Sequence, residues 1–152
     1  MVRVILDTNV LINGVQDDYS YAYRIIQLCL EGKLQAVVSR QIEREYRLKA
    51  DELIMDESYL DLLDDLLDRA EEVEVHSRVR IVEEDPQDNK FFSCAQDGEA
   101  DFIVSDDVHL LDFGSYKNTR VVTPDEFCSI YNEEIAAGEN VEWKEWVRTM
   151  GI

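Results

Sequence analysis

Five acidic residues stand where carboxylates do chemistry: Asp7, Glu45, Asp88, Asp106 and Asp107. Asp7 follows the apolar run Val4-Ile5-Leu6, and Asp106 and Asp107 follow Phe102-Ile103-Val104. Both runs read as short buried strands. In an open parallel sheet the carboxyl ends of the strands line the ligand crevice. If these two strands are parallel neighbours, their acids share one crevice. Asp88 falls in the first turn of a helix opened by Asp85-Pro86, and Glu45 falls in a helix just after the run Leu34 to Val38. Crossover rules bring helix starts near strand ends, so Asp88 can reach the same edge. Converging carboxylates repel one another unless a proton or cation neutralises them. Hard divalent cations take oxygen ligands, and magnesium is held by few carboxylates plus waters and substrate phosphates. The competing explanation is helix capping, which Asp favours. Capping accounts for one or two of these acids more readily than for the whole set. No Ser-His pairing or glycine-rich phosphate loop is apparent, and His76 and His109 stand apart from each other.

The elements that must position these acids alternate. Val4 to Leu6 is a strand, about Ser20 to Glu31 a helix stopped by Gly32, and Leu34 to Val38 a second strand. Ser39 opens a helix through Ile42, Tyr46 and Leu48, and Leu60, Leu63, Leu66 and Leu67 mark an amphipathic one. Val73 and Val75 suggest a short alternating strand. Asp85 and Pro86 cap and start a helix, Phe102 to Val104 and Arg120 to Val122 are strands, and Thr123-Pro124-Asp125-Glu126 is a capping box. The last helix is expected to end near Ala137, before Gly138. Strands separated by helices predict an α/β fold, a three-layer α/β/α sandwich around a mainly parallel sheet. The expected organisation is one domain over residues 1–137 and a tail over 138–152, whose Trp143 and Trp146 dock on the body or on a partner.

Bulk composition narrows the class. The chain has 152 residues, of which 45% are hydrophobic and 32% charged, as in a globular domain. No stretch approaches the roughly 18 apolar residues of a membrane span, so no membrane partner is expected. Cys29, Cys94 and Cys128 are too scattered for a metal-ligand pair or a disulfide framework. They read as buried free thiols, which points to a reducing cytoplasm. There are 34 acids against 15 bases, for a formal net charge of −19. Such a surface repels nucleic acid at long range. It also suits a basic partner.

The ordered motifs resemble the PIN-domain family of metal-dependent ribonucleases, in particular small prokaryotic PIN proteins related to the toxins of toxin–antitoxin pairs. Leu6-Asp7-Thr8-Asn9-Val10-Leu11 matches the family's D-T-N opening. Val38-Ser39 with Glu45-Tyr46 is similar to its second motif. Asp85-Pro86-Gln87-Asp88-Asn89-Lys90-Phe91 is similar to D-P-x-D-N-x-F, and Ala100-Asp101-Phe102-Ile103-Val104-Ser105-Asp106-Asp107 to A-D-x-I-V-T-x-D. Val121 to Phe127 resembles the closing strand and helix start.

The resemblance implies a metal-dependent endoribonuclease with one or two magnesium or manganese ions. Asp7, Glu45, Asp88 and Asp107 would be the catalytic acids and Asn9 and Ser105 supporting residues. Asp106 is the alternative to Asp107 as ligand, and Glu43 the alternative to Glu45. Arg40, Arg44 and Lys90, with Arg47 and Lys49, would form a rim that guides RNA, unless these bases simply pair with neighbouring acids. RNA is the implied substrate, with an antitoxin protein and a second copy of the chain as further partners. Two other readings compete. One is a non-catalytic PIN-like interaction module. The other is a haloacid-dehalogenase-like phosphatase, which wants a second acid where this chain has Asn9.

Overall fold

The computed structural model describes residues 1–83 and 85–136. The expected tail with Trp143 and Trp146 lies outside the described residues. Six strands form one sheet in the order β3-β2-β1-β4-β6-β5: β1 Arg3–Leu6, β2 Gln35–Val38, β3 Glu71–Glu72, β4 Phe102–Val104, β5 Ser115–Tyr116 and β6 Thr119–Val122. All neighbours run parallel except β5 and β6. Val4, Ile5 and Leu6 of β1 are all buried, as are Phe102, Ile103 and Val104 of β4. These continuous apolar runs are what strands covered on both faces require.

Helices flank the sheet: α1 Thr8–Gln16, α2 Tyr21–Leu30, α3 Arg40–Glu52, α4 Glu57–Arg69, α5 Asn89–Gly98, α6 Val108–Leu111 and α7 Pro124–Ile130. Ser20, Ser39 and Thr123 cap α2, α3 and α7, each side chain accepting a backbone N–H three residues on. The three cysteines are free and buried. Burial pushes the Cys29 and Cys94 thiols up to about 12, so they are packing groups rather than nucleophiles.

The helices also pack on one another closely. A Cβ built on Gly14 of α1 would meet Ile26 Cδ1 at 2.8 Å and the Ala22 carbonyl carbon at 2.9 Å on α2. One of the two contacts is backbone and cannot rotate away. Gly14→Ala should therefore destabilise the domain by about 1–3 kcal/mol despite alanine's better helix propensity. Chemical denaturation measures it, and an unchanged midpoint would refute the tight crossing.

The third strand departs from the sequence expectation. The third strand is not formed by Val73 and Val75. It is the pair Glu71–Glu72, in register with Val37 and Val38. After the Val73 N–H reaches the Val38 carbonyl at 2.8 Å, the chain leaves the sheet. The reason lies in α5, whose Asn89, Ser93 and Asp97 take the backbone N–H groups that a ladder would have used. Asp97 accepts from His76 at 2.6 Å and Ser77 at 2.7 Å, Ser93 accepts from Val79 at 3.1 Å, and Asn89 accepts from Ile81 at 2.9 Å and Val82 at 2.8 Å. The short elements β5 and α6 also go beyond the sequence reading. Neither carries enough apolar periodicity to show in one chain.

Candidate active site

The sheet order changes direction at β1. From there the chain builds outward to β2 and β3, then returns to lay β4 on the other side. Leu6 is in register with Val104, so the next residues, Asp7 and Ser105, emerge side by side at the crevice where such sheets bind ligands. The Asp7 N–H donates to the Val104 carbonyl at 3.0 Å. The Ser105 hydroxyl donates to Asp7 Oδ2 at 2.6 Å, and its oxygen accepts the Asp107 N–H at 3.0 Å. One hydroxyl thus ties the backbone of Asp107 to the carboxylate of Asp7.

Asp7 precedes α1 but makes no side-chain cap hydrogen bond. The Asn9 backbone N–H lies near enough to stabilise its charge without meeting cap geometry, and the Asn9 side chain is exposed. Capping therefore does not explain Asp7, which is only 7% exposed. Burial raises its pKa, Ser105 and the Asn9 N–H oppose that, and the charges of Asp107 and Glu45 push it higher. Asp107, by contrast, does cap: its Oδ1 accepts the His109 N–H at 2.9 Å at the start of α6.

Asp88 ends a 3-10 turn, Pro86–Asp88, that leads into α5, and Asp85 Oδ1 caps that turn by accepting the Gln87 N–H at 3.2 Å. Burial, then the charges of Asp85, Asp7 and Asp107, hold the Asp88 carboxyl up to about 7, with Lys90 pulling the other way. Its Oδ2 is buried with no hydrogen-bond partner among the described residues. A buried carboxylate oxygen without a donor, in a group already disfavoured by neighbouring negative charges, is an unfinished arrangement.

Glu45 of α3 reaches the cluster from the β2 side. Its Oε2 accepts the Thr8 hydroxyl and its Oε1 pairs with Lys90 Nζ at 2.9 Å. The next residue, Tyr46, is buried and donates its hydroxyl to the Leu6 carbonyl at 2.5 Å, bracing the strand end that carries Asp7. The charges of Glu45 and Asp107 act on Asp7, and those of Asp7 and Asp107 act on Asp88. Neither Glu43 nor Asp106 enters these effects, and Asp106 is exposed.

The bases expected to guide RNA fall in different places. Lys90 is 8% exposed, with Nζ donating to the Gln87 carbonyl at 2.7 Å as well as pairing with Glu45, so it is buried in the wall. Arg47 pairs with Asp64, Lys49 with Glu52 at 3.8 Å, and Arg40 lies 3.9 Å from Glu72. Arg44 is exposed and has no ion pair among the described residues.

The PIN domain description matches residues 3–109, most of the chain. This chain belongs to the PIN-domain family. PIN domains are typically nucleases and generally depend on metal ions. Among solved structures, the fold is similar to a chain in the crystal structure of VapBC2 from Rickettsia felis bound to a DNA fragment from their promoter. The TM-score is 0.55 at 14% identity, over 79% of this chain and 97% of that one. No curated protein matches in sequence. Membership sets aside the phosphatase alternative.

As arranged, no three acidic, histidine or cysteine side chains among the described residues enclose a metal site. Glu45 has both oxygens engaged, and Asp107 spends one on its cap. The donor chemistry nevertheless suits a hard cation. The pKa values of Asp7 and Asp88 are raised, first by burial and then by neighbouring carboxylates, and Asp88 Oδ2 is unclaimed. The roles of Thr8 and Tyr46 escape a sequence reading, because each lies next to the acid that draws attention. Only the register of β1 against α3 exposes them.

Proposed function

We propose that this PIN domain is a magnesium- or manganese-dependent endoribonuclease that hydrolyses RNA phosphodiester bonds. The observation that carries the reading is Asp88 Oδ2, buried and unpartnered beside Asp7 and Asp107. Asp7, Asp88 and Asp107 are the residues that would hold one or two ions. A bound ion supplies positive charge at the scissile phosphate and a nucleophile at neutral pH. The chain's own groups prepare that site. Ser105 fixes one oxygen of Asp7, Tyr46 braces the backbone beneath it, and Thr8 and Lys90 hold Glu45 at the edge of the cluster.

The similarity to a chain from a VapBC2 complex supports a toxin role with an antitoxin as partner. A net charge of −19 favours an antitoxin segment rich in bases. Buried free thiols accord with a cytoplasmic setting. The assay that tests activity incubates the purified full chain with labelled single-stranded RNA and manganese or magnesium, with and without chelator. Cleavage that chelator abolishes is expected, and cleavage that survives chelation would overturn the proposal. The buried Lys90 ammonium on Glu45 favours one other reading, a non-catalytic interaction module in which a side-chain cation sits among the acids. No cleavage with either metal would leave that reading standing.

A further inference from the structure

In a chain with 34 acids against 15 bases, an arginine without an acid beside it is unexpected. Arg78 and Arg80 are two such residues: both are exposed, and neither enters an ion pair or hydrogen bond among the described residues. They lie on the strap, residues 76–82, that leaves the sheet after β3. Asn89, Ser93 and Asp97 stand four residues apart on α5, so they share one face of that helix. They fasten the strap's backbone at three points. This pinning turns Val79 inward, where it is 9% exposed. In an extended chain alternate residues face the same way. Arg78 and Arg80 therefore stand together on the open side, about 6.6 Å apart along the backbone.

Both arginines line a groove of about 1460 Å³, together with Arg40, Pro86, Gln87 and Lys90. Pro86 and Gln87 belong to the turn that carries Asp88, and Lys90 pairs with Glu45, so the groove borders the residues that hold two of the acids. Glu72, Glu74 and Glu83 also line it. Arg40 lies 3.9 Å from Glu72 and His76 lies 3.8 Å from Glu74. Arg40, Arg78, Arg80 and Lys90 thus offset the three glutamates along this wall, which lowers its repulsion of a polyanion on a strongly acidic body. Guanidinium groups not already held in an ion pair among the described residues are the side chains best suited to phosphate oxygens.

We infer that the strap is the substrate rail: Arg78 and Arg80 bind successive phosphates of a single-stranded RNA and feed it along the groove to the carboxylates at Asp7 and Asp88. The inference rests on the ribonuclease reading for its substrate class but is tested by binding alone. The probe is a fluorescent oligouridine, titrated with the full chain carrying Asp7→Asn, in magnesium, across a series of salt concentrations. Arg78→Ala with Arg80→Ala should weaken binding roughly tenfold at low salt and flatten the dependence of log K on log salt by about 1.4, the share of two phosphate contacts on a single strand. Arg69→Ala, an exposed arginine outside the groove, should change neither, and Arg78→Lys with Arg80→Lys should restore the salt slope. Unaltered affinity and slope in the double alanine variant would overturn the rail, as would an Asp7→Asn parent that does not bind the probe. Unaltered binding alongside a wild type that cleaves RNA removes the rail and leaves the nuclease. Lost binding alongside a wild type that cleaves nothing does the reverse.

Discussion

An Asp7→Asn chain is expected to lose metal-dependent RNA cleavage by a factor of about 10² or more while melting at the same temperature as the wild type or higher. The two effects have one cause. Asp7 is a carboxylate held out of water, its pKa raised by that burial and by the charges of Asp107 and Glu45. A buried charge among like charges costs stability when nothing neutralises it. Asparagine keeps the size, and its amide oxygen can still accept the Ser105 hydroxyl that now donates to Oδ2 at 2.6 Å. The hydroxyl can go on accepting the Asp107 N–H. Folding therefore loses a repulsion and keeps its hydrogen bonds, while the site loses the charge a divalent ion would need. Initial rates on single-stranded RNA with manganese, beside calorimetric Tm values, test both halves. A variant that cleaves at the wild-type rate would remove Asp7 from the chemistry. One that falls in Tm by several degrees would mean that the carboxylate is structural.

Local chemistry and long-range pairing leave different marks in this sequence. The strands at Val4 to Leu6 and Phe102 to Val104 were legible because burial on both faces demands unbroken apolar runs, and the acids after them were legible because sheets bind ligands at those ends. Ser39 and Thr123 announced their helices through capping chemistry that depends on a few adjacent residues. Spacing alone does not separate Asp107 from Asp106 or Glu45 from Glu43; in space it is Asp107 and Glu45 whose charges act on Asp7. The strap misled because Val73 and Val75 alternate like a strand, and only α5, distant in sequence, decides where their neighbours' N–H groups bond. Lys90 misled for the same reason. A lysine beside an acid motif looks like a substrate contact, but α3 brings Glu45 to it, and the ammonium that makes the pair is buried. Long-range pairing is what a periodicity reading lacks, and both misread features are of that kind.

In the absence of divalent ions the domain should lose stability as pH rises from about 4 to above 7, and manganese should reverse that loss. The folded chain holds a proton on Asp88 up to about pH 7, whereas the unfolded chain releases it near the ordinary value of 3.8. Between those points the folded state binds more protons, so its stability falls with rising pH, and the contribution is gone once Asp88 ionises. Asp7 is raised too and acts in the same direction. Asp97 does not disturb the window. Ser77 and the neighbouring N–H groups lower its pKa, so its contribution is lost only on acidification below 3.8. General repulsion within an acidic chain has the same sign as the Asp88 effect, and Asp88→Asn separates the two. It leaves the rest of the surface charge in place, yet it should flatten the fall in Tm between pH 5 and 8. A divalent ion competes with the proton for the same oxygens, so manganese should raise Tm most at pH 8 and least at pH 5. That pH-graded rise should disappear in the variant. Scanning calorimetry at fixed ionic strength, with manganese against chelator, measures every arm. A wild-type Tm that climbs from pH 5 to 8 in chelator, or a manganese effect that Asp88→Asn leaves intact, would mean that Asp88 Oδ2 is not the open position of this site.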